Sequence, residues 1–191
     1  MKRRLAALAS LLMLATAALA LAHAAYIPAK AALAQWLLVH AWEQRGTVDG
    51  VARPWPGADM RPLARLSQSR LGIDQVVLDG ASGRLLAFGP GHVIGSGVPG
   101  SRGNVVISGH RDTHFAWLAQ LRVGDDLALE TRAGEVLRYR VTQMQVVHER
   151  ESAWLDPAAD DGLRLVTCYP FVGVAPGTPW RYLVSATRLS P

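Results

Sequence analysis

From Leu5 to Ala29 the chain carries no Asp, Glu, Lys or Arg. About 20 apolar residues suffice to cross a bilayer as a helix, so this stretch reads as a membrane span. Lys2, Arg3 and Arg4 precede it. Positive flanks stay on the cytoplasmic side, which predicts a single pass through the cytoplasmic membrane with all later residues outside it. A cleaved signal peptide is the rival reading, because Ala20-Leu21-Ala22 and Ala22-His23-Ala24 both offer small-x-small cleavage patterns. The length of the apolar stretch favours a retained anchor over residues 1–29. Residues 30–44 continue as a helix, with Leu33, Leu37, Leu38 and Ala41 expected on one face and Trp36 and Trp42 nearby. Such a helix lies on the membrane surface or packs on the following domain.

The anchor also accounts for most of the charge. The formal net charge is +5, yet Lys2, Arg3, Arg4 and Lys30 all precede the first acid, Glu43. The remaining 16 basic residues face 15 acidic ones. No basic cluster with interleaved aromatics follows, so a nucleic-acid partner is not expected.

Gly46–Pro62, with its Pro54-Trp55-Pro56-Gly57 run, reads as a linker that closes the segment 30–62. From residue 63 to 191 the pattern changes to short apolar runs: Val76–Leu78, Val105–Ser108, Asp126–Leu129, Val136–Val141, Val146–Val147, Leu163–Thr167 and Tyr182–Ala186. Turn signals separate them, among them Asp79-Gly80, Pro90-Gly91, Pro99-Gly100, Gly124-Asp125 and Pro176-Gly177. Short strands at this spacing predict a mostly β domain, an antiparallel barrel or sandwich. His114–Leu121 is the best short helix after the linker.

Chemistry concentrates in three segments. Val105–Ser108 runs through Gly109 into His110, and Leu165-Val166-Thr167 runs into Cys168 before Pro170 stops the ladder. A base and a nucleophile on strand ends are held rigidly and still face solvent. In Trp180–Thr187 a strand opens with Arg181, which can donate to an oxygen that becomes negative when a thiolate attacks a carbonyl. Cys168 is the only cysteine, which excludes an intramolecular disulfide and leaves too few ligands for a cysteine-based zinc site. A lone Cys can also be a small buried hydrophobe.

The Leu-x-Thr-Cys strand end, a His after a Gly about sixty residues upstream, and an Arg opening the next strand resemble the sortases. Gly-His-Arg-Asp-Thr-His-Phe and Thr-Cys-Tyr-Pro-Phe resemble the proteobacterial sortases most, over about Leu66 to Arg188, and the Ala-Lys-Ala-x-x-Ala-Gln-x-Leu-Leu helix fits the same group. The resemblance implies an eight-stranded sortase-type β-barrel with short helices behind an N-terminal transmembrane helix. It implies a cysteine transpeptidase with Cys168 as nucleophile, His110 as acid/base, Arg181 as oxyanion support and Thr167 as a neighbouring contributor. The partner would be a protein with a C-terminal, Leu-Pro-x-Thr-Gly-like sorting signal, cleaved through a thioester and passed to an amine. The catalytic domain would face the periplasm, and no cofactor is implied.

Other readings attach to the same residues. His110 and His114 with Asp112 between them would suggest metal ligands on a helix, but at a strand end this spacing does not bring side chains together, and no metal is expected. His114 reads as a surface or outer residue, and Asp112 as orienting His110 or holding the loop through Arg111. His92, in the Gly-rich stretch up to Gly103, either contacts substrate or forms a structural turn. Glu149, Glu151, Asp156, Asp160 and Asp161 lack calcium-ligand spacing and read as a solvated loop. Two further function classes stand beside the transpeptidase: a plain cysteine hydrolase, and a non-enzymatic β-barrel binding module in which Cys168 is buried.

Overall fold

The computed structural model describes residues 2–44, 53–158, 160–172 and 177–190. Much of the linker 46–62 and Pro176 of one turn signal therefore lie outside the described residues, and the part from 53 to 61 forms neither helix nor strand.

Eight strands close into a barrel: β1 (Pro62–Gln68), β2 (Ile73–Leu78), β3 (Gly91–His92), β4 (Val105–Ser108), β5 (Asp126–Thr131), β6 (Val136–His148), β7 (Gly162–Tyr169) and β8 (Trp180–Arg188). Their order around the barrel is β1-β2-β3-β4-β7-β8-β6-β5. The β2–β3 and β4–β7 pairs are parallel and the others antiparallel. The expected mostly β, eight-stranded architecture with an N-terminal apolar helix is present.

Period-two alternation sorts the side chains. Val105, Ile107, Leu163, Leu165, Val184 and Ala186 enter one buried core with Leu66, Leu127, Leu129 and Phe115. Their neighbours Val106, Val166 and Leu183 point the other way and form a separate apolar floor with Val147, walled by Val93, Trp154 and Leu155. Closure removes the open edges that would otherwise template aggregation.

The structure differs from expectation at several elements. Val136–Val141 and Val146–Val147 belong to one strand, β6, which bulges between Val141 and Gln143. β1 and the two-residue β3 carry no apolar run long enough to stand out. His114–Leu121 yields only a 3-10 turn at Ala116–Gln120, and a four-residue helix, α2 (Gly83–Leu86), was not anticipated. Ser82 caps it through its side chain.

The N-terminal helix α1 runs unbroken from Lys2 to Glu43 and contains Pro28. Its first part is exposed, with nothing of the domain against it. Its last three turns pack on the barrel through Ala31, Ala34, Gln35, Leu38, Ala41 and Trp42, so Leu38 and Ala41 of the expected face dock while Leu33 does not. Leu33 is 58% exposed and Trp36 56%. Trp42 is no membrane-interface residue: it is buried with Ala58, Met60, Val76 and Leu78, and its Nε1 donates to the Glu130 carboxylate. Gln35 fixes the register of this docking. Its amide accepts from the Val76 N–H at 2.9 Å and donates to the carbonyls of Phe88 at 3.0 Å and Val76 at 3.3 Å. Gly89 leaves room for it, since a Cβ there would stand 2.5 Å from Gln35 Nε2. The apolar span is thus continuous with a helix bolted to β2, without an intervening loop.

Candidate active site

The site assembles where β4, β7 and β8 run side by side. In the β7–β8 ladder Cys168 stands directly opposite Arg181, as Val166 does opposite Leu183. Opposed residues share a face, with Cβ atoms about 5 Å apart. Cys168 and Arg181 therefore continue the line of the apolar floor formed by Val166 and Leu183. In the parallel β4–β7 ladder Ser108 pairs with Val166. Two residues past that pair on each strand stand His110 and Cys168, and both line one groove.

Two hydrogen bonds hold this extension past the formal end of β4. The Gly109 N–H donates to the Val166 carbonyl at 3.1 Å, and the Thr167 hydroxyl donates to the Gly109 carbonyl at 2.7 Å. Thr167 is 2% exposed, so its bond is shielded from water. Behind them the Phe115 ring presses on Gly109, where a Cβ would meet it at 2.7 Å. A side chain here would push away the ring or the turn that carries His110.

A groove of about 390 Å³ brings these residues together. Ser108, Gly109, His110, Thr167, Cys168 and Arg181 line it, with Val93, Val166, Trp154 and Leu155 as apolar surface and Ala81 and Leu86 at its edge. Cys168 is a free, partly exposed thiol and His110 is exposed. A fully buried structural thiol would not look like this. Trp154 and Leu155, absent from the sequence reading, are held as a wall by Asn104, whose amide donates to the Trp154 and Asp156 carbonyls at 2.8 and 3.0 Å.

Arg181 is anchored on one side. Its Nη1 donates to the Thr178 and Trp180 carbonyls at 2.6 and 3.0 Å, and its Nη2 to the Glu149 carboxylate at 2.7 Å. Asp160 and Asp161 turn elsewhere, to Arg164 and Arg188. Glu149 is therefore more than one of several solvated loop acids. Its role follows from the β6–β8 pairing of Val147 with Arg181, which no local sequence pattern announces. Arg111 reaches the Pro170 carbonyl at 2.8 Å and ties the His110 loop to the end of β7.

Two histidines depart from expectation. His92 is not brought into the groove: it is 6% exposed, and its Nε2 is bonded to the Gly97 carbonyl at 2.9 Å and the Ser96 hydroxyl at 3.1 Å. Its Nε2 closes the 92–97 loop, as the structural-turn reading has it. His114 is no surface residue, being 3% exposed behind the His110 loop. Its Nε2 has no hydrogen-bond partner among the described residues. Burial pushes its pKa down to about 4, with a further push from His110; the Ala87 carbonyl and Asp112 act in the opposite direction.

The fold and groove define a β-barrel with a strand-end thiol, and the comparisons give the family. The sortase domain model matches residues 66–189, and the chain belongs to the sortase family. A curated relative, "Sortase D" of Bacillus subtilis, is 29% identical over 154 residues, 78% of this chain and 77% of that protein. Sortase A from Corynebacterium diphtheriae is 28% identical with a TM-score of 0.62 over 71% of this chain and 64% of its own. Sortase C-1 from Actinomyces oris is 28% identical with a TM-score of 0.60, covering 70% and 77%. The chain is thus a sortase, of a family of cysteine transpeptidases, with an apolar N-terminal helix that fits a membrane anchor.

The buried His114 gives a pH prediction. Its folded pKa lies below the ordinary value of about 6.5, so the unfolded chain binds the extra proton first and stability rises with pH in that window. As pH falls from about 6.5 to 4, this one group should cost about 3 kcal/mol of folding stability. Urea unfolding at pH 7.5, 5.5 and 4 measures it, and His114→Gln should flatten the acid limb. An unchanged slope in that variant would mean that other groups govern acid unfolding.

Proposed function

We propose that Cys168 is the nucleophile of a transpeptidation, with His110 as acid/base and Arg181 as oxyanion support. The observation that carries this is the grouping of the three side chains: Cys168 stands opposite Arg181 on β7–β8, and His110, two residues past β4, lines the same groove. The thiolate attacks the scissile carbonyl of a sorting signal, and negative charge develops on its oxygen as the carbon becomes tetrahedral. Arg181 donates to that oxygen. Collapse expels the amine, which takes a proton from His110, and leaves a thioester on Cys168. An incoming amine deprotonated by His110 resolves the thioester by transpeptidation, and water resolves it by hydrolysis. The Thr167–Gly109 bond keeps base and nucleophile in step.

The substrate in this reading is a protein whose C-terminal, Leu-Pro-x-Thr-Gly-like segment lies along the apolar floor. The Gly-His-Arg-Asp-Thr-His-Phe and Thr-Cys-Tyr-Pro-Phe segments support a sortase of the proteobacterial type. We assign residues 1–29 to a retained anchor, 30–62 to the docking helix and linker, and 63–191 to the catalytic domain. The basic residues before the span support a domain facing the periplasm. Protease added to intact spheroplasts should then digest the domain, whereas protection of it until lysis would reverse the topology.

Arg181 provides the test of mechanism. Removing one oxyanion donor costs other enzymes about two to three orders of magnitude in turnover. Arg181→Ala should lower kcat by that order and move the melting temperature little, because its ion pair is solvent-exposed. Arg181→Lys keeps the charge but loses the planar fork and should rescue poorly. Normal turnover by a folded Arg181→Ala protein would remove Arg181 from the chemistry.

A further inference from the structure

We infer that Glu149 is the positioning residue for Arg181, an assignment that rests on the reading of Arg181 as oxyanion donor. A guanidinium carries five N–H donors in a rigid plane on a flexible stem. Three bonds use Nη1 twice and Nη2 once. Among the described residues, the Nε–H and the second Nη2–H make no bond. That leaves two donors for an oxygen in the groove that Arg181 lines.

The two carbonyl bonds alone would not fix this pose. Both acceptors, Thr178 and Trp180, lie within three residues of Arg181 and move with the same segment. Glu149 comes from the other neighbouring strand. It follows β6 directly, and its backbone N–H donates to the Pro179 carbonyl at 2.7 Å. Beside it the His148 ring meets the Trp180 ring edge-on at 5.2 Å. The carboxylate therefore stands on a backbone already tied to the start of β8, and its 2.7 Å contact supplies the fixed point outside Arg181's own segment. A partly exposed ion pair adds little to stability, with side chains 26% and 48% exposed. Its effect is on geometry: it selects one guanidinium rotamer before substrate arrives, so less reorganisation accompanies the developing charge.

Glu149 also begins the connection to β7 that carries the groove wall of Trp154 and Leu155. The same short segment thus supports the oxyanion donor at one end and the apolar wall at the other.

The test compares two reactions of Cys168 in the full chain in detergent micelles. p-Nitrophenyl acetate acylates the thiolate through a tetrahedral oxyanion and releases p-nitrophenolate. Iodoacetamide alkylates the same sulfur by displacing iodide and forms no oxyanion. Glu149→Gln should slow the acylation burst about 10- to 100-fold, as expected of a misplaced catalytic group, while alkylation stays within about twofold of the parent, since no oxyanion is involved. Glu149→Asp should recover part of the loss. In an Arg181→Ala background Glu149→Gln should cost nothing more, because its effect runs through the guanidinium.

An acylation rate of Glu149→Gln equal to the parent's overturns the inference, as does a loss that adds in full to that of Arg181→Ala. Equal slowing of both reactions overturns it too, since that marks general damage to the site. The underlying reading fails separately: if Arg181→Ala acylates normally, or Cys168→Ala still gives a burst, the assignments of Arg181 or Cys168 fall before that of Glu149 is reached.

Discussion

The ladder of β4, β7 and β8 is the constraint on which the site depends. Three side chains far apart in sequence meet because a parallel pair and an antiparallel pair share the strand β7. A slip of one residue in β7 or in β8 would turn Cys168 or Arg181 from the groove face toward the barrel core. The buried alternation of Leu163, Leu165, Val184 and Ala186 opposes such a slip, because it would bring Arg164 and Ser185 inward. Core packing thereby sets the geometry of the candidate site, and the groove's apolar floor is the outward half of the same alternation.

The turn after β4 shows how this order is carried beyond regular structure. β4 is only four residues long, and His110 lies outside it. The Gly109 N–H and the Thr167 hydroxyl tie residue 109 to β7, and the Phe115 ring occupies the space that a side chain at 109 would need. The buried, neutral His114 underlies the same loop. Burial is the main cause of its lowered pKa.

Much of this was legible in the sequence, and for physical reasons. Val105–Ser108, Leu163–Thr167 and Tyr182–Ala186 are dense apolar runs because they face buried surface on both sides, and their ends mark His110, Cys168 and Arg181. The charge-free stretch after Arg4 marked the span. What escaped depends on pairing rather than on local pattern. β3 has two residues and exists only because β2 and β4 flank it. Glu149 and the Trp154–Leu155 wall depend on long-range contacts with Arg181 and Asn104. Of the face expected on α1, Leu38 and Ala41 dock, but Ala31 and Ala34 do so as well because small residues allow close approach to the barrel, while the larger Leu33 is left outside.

The central claim is that Cys168 carries the substrate as a thioester. It is tested most directly by incubating the full chain with a Leu-Pro-x-Thr-Gly-like peptide without added amine, quenching in acid, and mapping the modified peptide by mass spectrometry. The account predicts an acyl adduct on the Cys168-containing peptide, released by hydroxylamine and absent from Cys168→Ala. Cleavage of the substrate by folded Cys168→Ala protein, or an adduct mapped to any other residue, would contradict it.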